Sequence, residues 1–202
     1  MNPTVRRLAA LAIGLAVAGC GSDRTSAPST LDHPLLRSND LLGGVVNTAT
    51  SALNLTPVVG LKRTAALPAP ITVTQVIGSA GGTLRIPEAG VTVTVPAGAL
   101  ASPTTISMTA LAGSLVAYDF APHGITFARP LEFSQSLSGT NASLLSVPSL
   151  KLGYYPDDSL LSGTGALVSE LIDGSVDLLG WRFNARIPHF SGYILSCGRA
   201  DE

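Results

Sequence analysis

The chain has 202 residues, of which 46% are hydrophobic, 12% charged and 5% aromatic, and its formal net charge is −1. That balance carries no basic surface of the kind nucleic-acid binding requires. With only two cysteines, Cys20 and Cys197, no disulfide-dense scaffold is expected either.

The first twenty residues read as a basic start at Arg6 and Arg7, an uncharged run from Leu8 to Val17, and a small-residue exit into Ala18-Gly19-Cys20. That run is too short to cross a bilayer as a helix. Val17-Ala18-Gly19-Cys20 resembles the bacterial lipobox, in which small side chains precede the scissile bond and the following cysteine carries diacylglycerol. In this reading residues 1–19 are a lipoprotein signal peptide and Cys20 is the lipidated mature N-terminus. Two or three acyl chains make a stable anchor, because each buried methylene contributes roughly 0.8 kcal/mol. Gly21, where an aspartate would favour the inner membrane, points to the outer membrane of a bacterial cell envelope. Loss of Arg6 and Arg7 with the signal leaves a mature net charge of −3, from 10 basic and 13 acidic residues. Membrane lipid through Cys20 is the first expected partner.

Residues 20–70 are rich in Ser, Thr, Pro, Gly and Asn and read as a tether. Within it Leu42, Val45, Val46, Ala49, Ala52 and Leu53 recur at helical spacing behind possible caps at Asn39 and Asp40. A short helix fits there, although Gly43-Gly44 weakens it and its polar face lacks the basic residues of a membrane-surface helix.

Beyond Pro70 the pattern changes to short alternating runs separated by Gly and Pro. Ile71, Val73 and Ile77 share one face of a first strand, and Gly81-Gly82 turns the chain into Leu84 and Ile86. Gly90 opens Val91-Thr92-Val93-Thr94-Val95, which Pro96-Ala97-Gly98 closes. Ile106, Met108 and Ala110 face one way in the next strand, with Thr105, Ser107 and Thr109 opposite. Further strands are predicted at residues 116–120, 125–127, 131–134, 150–155, 181–187 and 190–196, and residues 166–172 fit either strand or helix. Turn signals every 8–12 residues make an all-β, antiparallel two-sheet β-sandwich over residues 71–197 the expected fold, with 198–202 as a tail.

Two blocks carry a resemblance. Ile77-Gly78-Ser79-Ala80-Gly81-Gly82-Thr83-Leu84, followed by residues 90–100 (GVTVTVPAGAL), is similar to the opening of the ZU-five (ZU5) domain of zonula occludens proteins, netrin receptors and ankyrins. Residues 120–131 (FAPHGITFARPL) resemble the family's proline, glycine, phenylalanine and proline pattern before a hydrophobic strand. The resemblance implies a sandwich that acts as a scaffold or docking surface, here for an unidentified envelope protein or polysaccharide, and not as an enzyme on external substrates.

Pro188-His189-Phe190-Ser191-Gly192-Tyr193 resembles the His-Phe-Ser site at which some relatives cut their own backbone. The resemblance would make Ser191 the nucleophile, His189 the proton acceptor and Phe190 the acyl side. The chemistry is demanding, since an amide must be lifted toward an ester by backbone strain of about 1–3 kcal/mol per distorted residue. Near-attack placement of the hydroxyl supplies the equivalent of about 7–11 kcal/mol. In a regular strand His189 and Ser191 share a face but stand too far apart for a direct hydrogen bond. Apolar positions at Trp181, Phe183 and Ile187 shift to Phe190 and Ile194, and that change of parity predicts a bulge or bend between Pro188 and Gly192. Read structurally, the same residues are a core phenylalanine, an edge histidine and a strand hydroxyl.

Asp157-Asp158 after Tyr154-Tyr155-Pro156 are too few carboxylates for a calcium cage and read as a solvated turn. His123 falls in a Pro-His-Gly turn and His33 in the tether. No zinc, nucleotide-loop or paired-carboxylate signature is present, so no metal and no cofactor are expected.

Overall fold

The computed structural model describes residues 54–199. The signal peptide, Cys20, the possible helix at 42–53 and the last three residues lie outside the described residues. Fourteen strands follow one another: β1 (Thr56–Gly60), β2 (Lys62–Leu67), β3 (Ile71–Ile77), β4 (Gly82–Ile86), β5 (Val91–Val95), β6 (Thr104–Ala110), β7 (Gly113–Leu115), β8 (Ala117–Ala121), β9 (Thr126–Ser136), β10 (Lys151–Tyr155), β11 (Gly165–Val168), β12 (Glu170–Asp177), β13 (Arg182–His189) and β14 (Gly192–Arg199). The fold is all-β and its strand pairings are antiparallel, as the alternation predicts.

Two sheets face each other and share one strand. The order β3-β6-β8-β14-β10-β12 makes one, β12-β13-β9-β5-β4 the other. β12 serves both because its first half pairs with β10 and its second half, from Gly174, pairs with β13. Gly174 sits at that bend for a steric reason: a Cβ there would lie 2.2 Å from the Phe183 ring and 2.6 Å from Asn184 O. On the opposite side β3 passes to β4 through a turn closed by Gly81 N–H donating to Gly78 O at 3.0 Å. Gly81 has φ +80 and would press a Cβ to 2.3 Å from Val95 O, so only glycine fits.

The core lies between the sheets. Ile106, Met108, Phe120, Tyr193 and Leu195 from one sheet meet Leu84, Ile86, Val93, Phe133, Phe183 and Ile187 from the other, all buried. Each such side chain contributes about 1.5–3 kcal/mol through removal from water. In β5 the buried residues are Val91, Val93 and Val95, while Thr92 and Thr94 face outward, so the alternation read in the sequence is the alternation of burial. A second cluster of Val58, Ala117, Tyr155, Ala166, Val168 and Ile194 covers the other face of β14.

Several expectations need correction. The segment read as tether to residue 70 contains β1 and β2; β1 pairs with β11 and β14, and Leu61 N–H donates to Leu195 O at 2.7 Å. The partners of β1 lie more than a hundred residues away, and β2 pairs with β7, Lys62 opposite Leu115, so no local pattern announces either strand. Of the strands expected at residues 125–127 and 131–134, all but Ile125 belong to one strand, β9, whose register against β13 slips between Ile187 and His189. Pro130 occupies the slipped stretch, where the missing N–H costs no ladder bond. Residues 166–172 resolve as β11 and the start of β12, and the last strand runs on through Gly198 to Arg199. Cys197 is disulfide-bonded.

Buried polar groups gather around Tyr118. Its hydroxyl meets Ala89 O at 3.2 Å and the Gln135 side-chain carbonyl, and Gln135 Nε2 donates to Ala89 O at 3.0 Å. The Arg63 guanidinium lies 5.6 Å from the Tyr118 ring centre and donates to Leu115 O. Burial pushes the Tyr118 phenol up to about 12, with the Arg63 charge pulling the other way. The phenol therefore holds its proton longer when folded than when unfolded, where it titrates near 10. Stability from this group is complete below pH 10 and is lost as pH rises toward 12, at about 1.4 kcal/mol per pH unit. Denaturant midpoints measured from pH 8 to 12 should be flat to pH 10 and then fall, and Tyr118→Phe should flatten part of that fall.

Candidate functional site

The chain must leave β13 in one sheet and enter β14 in the other, and it does so at Phe190-Ser191. The bend expected from the parity change is present. The register slips before His189, Phe190 and Ser191 belong to neither strand, and β14 resumes at Gly192. Phe190 is 1% exposed, stacked on Phe120 at 5.1 Å between ring centres and edge-on to Phe127 at 4.7 Å. Its amide donates to Ile125 O at 3.0 Å, and its carbonyl accepts from Gly124 N–H at 3.3 Å. The corner is thus held in the core and tied to the β8–β9 connection. Gly192 must be glycine, because a Cβ would lie 2.0 Å from the Tyr155 ring.

Ser191 is buried, and its hydroxyl donates to Tyr155 O at 3.4 Å. His189 is engaged elsewhere. Its Nε2 lies 3.3 Å from a Glu170 carboxylate oxygen, and its Nδ1 lies 3.2 Å from the Tyr193 hydroxyl. That hydroxyl donates to His189 O at 2.8 Å, which leaves the phenol oxygen to accept from Nδ1. Burial pushes the Tyr193 phenol up, and the Glu170 charge adds to the shift, so the hydroxyl keeps the proton it donates. Both imidazole nitrogens face oxygen acceptors, while the Ser191 hydroxyl is directed at a carbonyl. A general base for Ser191 would need one of those imidazole bonds to open.

A cavity of about 200 Å³ adjoins the corner, lined by Asp119, His123, Tyr155, Pro156, Asp157, Asp158 and Gly192. His123 Nε2 lies 2.9 Å from Asp119 Oδ1. Asp157 accepts from Ser159 N–H at 2.8 Å, capping the 3₁₀ turn Asp158–Leu160, and hydrogen bonding from the Ser159 side chain, with its amide, holds the Asp157 carboxyl below the usual range. The Asp157-Asp158 pair is therefore a turn element. Among the described residues no group of three or more His, Cys, Asp or Glu side chains is placed to hold a metal ion.

Of the residues singled out in the sequence, the structure brings His189, Phe190 and Ser191 into one corner and places His123 across the neighbouring cavity. Glu170, Tyr193, Gly124 and Asp119 complete the arrangement and were not foreseen. Asp119 and His123 are four residues apart, a spacing that could have drawn notice. Glu170 lies nineteen residues from His189 on a strand whose bend is not local information.

Residues 73–114 match the model of the ZU5 domain. The match spans most of β3, the whole of β4, β5 and β6, and the start of β7, and it coincides with the first of the two blocks that resemble this family. A ZU5 domain is consistent with a non-catalytic binding or structural module. The His189–Ser191 corner lies outside the matched residues. No curated protein matches the chain.

The corner's hydrogen bonds can be ranked by burial. Tyr193→Phe strips the part-buried His189 carbonyl of a donor and should cost about 1 kcal/mol or more. Glu170→Gln weakens a contact between side chains that are 25% and 48% exposed and should cost less than about 1 kcal/mol. Urea unfolding of the two variants checks the order.

Proposed function

We propose that this protein is a lipid-anchored, non-catalytic β-sandwich module of a bacterial cell envelope, tethered through Cys20 and binding an envelope protein or polysaccharide or serving as a structural element. The ZU5 match at residues 73–114 is the observation that carries the module reading. The anchor reading rests on the lipobox-like Val17-Ala18-Gly19-Cys20. It has a chemical condition. The chain has two cysteines, and a sulfur that carries diacylglycerol cannot also be half of a disulfide.

A second reading is self-cleavage between Phe190 and Ser191. What favours it is the Gly124 amide on Phe190 O, a donor placed where an oxyanion would form. Ser191 Oγ would bond to the Phe190 carbonyl carbon as the C–N bond breaks, its proton passing by way of His189 to the departing amine. Water would then hydrolyse the ester to a Phe190 carboxylate and the Ser191 hydroxyl. Two hydrogen bonds stand against it in the resting arrangement: the Ser191 hydroxyl to Tyr155 O, and the imidazole to Glu170.

One measurement addresses both readings, the intact mass of the mature chain purified from membranes. The module reading expects one uncut chain that begins at Cys20 and carries a diacylglyceryl adduct. A Cys20–Cys197 disulfide with no lipid overturns the anchor. A fragment beginning at Ser191 that disappears in Ser191→Ala establishes cleavage, and an uncut chain excludes it.

A further inference from the structure

Four leucines stand in water at one end of the sandwich. Leu144 is 72% exposed, Leu145 91%, Leu178 60% and Leu179 101%. Val59 and Val76 are the other exposed large hydrophobics among the described residues. Neither leucine pair is needed by its turn. Asp177 Oδ1 accepts from Leu179 N–H at 3.0 Å, and Ser143 and Ser146 bond each other across the second loop at 2.9 and 3.0 Å. Backbone and polar groups hold both turns, so the leucine side chains are free to serve another purpose.

The strand registers put both pairs at the same end. β9 finishes there, with Ser136 opposite Arg182 at the start of β13, and Leu137 N–H donates to Trp181 O at 2.9 Å. The loop with Leu144 and Leu145 runs from that point to β10, where Lys151 pairs with Ser196 near the end of β14. The β12–β13 hairpin carries Leu178 and Leu179 beyond the Lys151–Asp173 pair, toward the same end. β1 also begins here, since Val58 pairs with Arg199. The chain arriving from Cys20 therefore enters the domain at the leucine end, and the His189–Ser191 corner lies at the opposite one.

We infer that the leucine end lies in a lipid surface, Leu144, Leu145, Leu178 and Leu179 entering the acyl boundary. The inference rests on the anchored reading for its orientation. Only roughly 34 residues separate Cys20 from Asn54, so a lipid on Cys20 would hold this end near the bilayer at high effective concentration. Charges around it are mixed: Lys62, Lys151 and Arg182 beside Asp173 and Asp177. The contact is therefore apolar and insensitive to salt, unlike a polybasic one.

Trp181, the single tryptophan, follows the Leu178-Leu179 turn and reports on it. The mature full chain is reconstituted with phosphatidylcholine vesicles whose acyl chains are brominated, and Trp181 emission is read at low and high salt. The expected result is a blue shift with quenching that salt does not reverse and that is lost in Leu178→Ser/Leu179→Ser, a variant of equal melting temperature. Unquenched emission from a chain whose mass carries the lipid overturns the inference and leaves the anchor standing. Quenching of a chain without the lipid supports the inference and removes the anchor. A leucine-dependent dimer without quenching assigns this end to a second copy and overturns it.

Discussion

The last strand holds the fold together. β14 hydrogen-bonds to β8 and β10 along its first half and to β1 along its second, and its residues from Gly192 to Ser196 are buried. Tyr193 and Leu195 point into the main core and Ile194 into the second cluster. A strand covered on both faces and paired on both edges cannot be assembled until its partners are in place, so closure of the sandwich waits on contacts of long sequence separation. The corner at Phe190-Ser191 follows from this arrangement, because β13 is central to one sheet and β14 to the other.

That corner has a structural task whatever its chemistry. Phe190 fills the space between Phe120 and Phe127, and the hydrogen bonds of Gly124, Ile125, Tyr155 and Tyr193 fix the backbone on either side. A chain cut there would keep β14 through its ladders to three neighbours. Packing demands the phenylalanine, close approach of the Tyr155 ring demands Gly192, and the carbonyl of His189 uses the Tyr193 hydroxyl.

The molecule is chemically polar from end to end. Where β1 begins it carries exposed leucines; where β13 gives way to β14 it carries Asp119, His123, Asp157, Asp158 and the His189–Glu170 pair. The ZU5 match covers strands of both sheets but reaches neither the corner nor the leucine loops. The domain type therefore bears on the kind of role, while the chemistry of each end rests on this chain's own residues.

The sequence alone was enough for an all-β chain, for β3 to β6 with their buried faces, and for the bend near Pro188, because alternation, glycine turns and a parity change are local signals. The lipobox is likewise a local signal and rests on sequence alone. Tertiary structure decided the rest. β1 and β2 exist through partners far along the chain, β9 absorbs Pro130 through a register slip, and β12 bends at Gly174 to serve two sheets. The Glu170–His189–Tyr193 contacts depend on which strands become neighbours. Pairing in a sandwich is fixed by the whole core closing at once, and no window of ten residues contains that information.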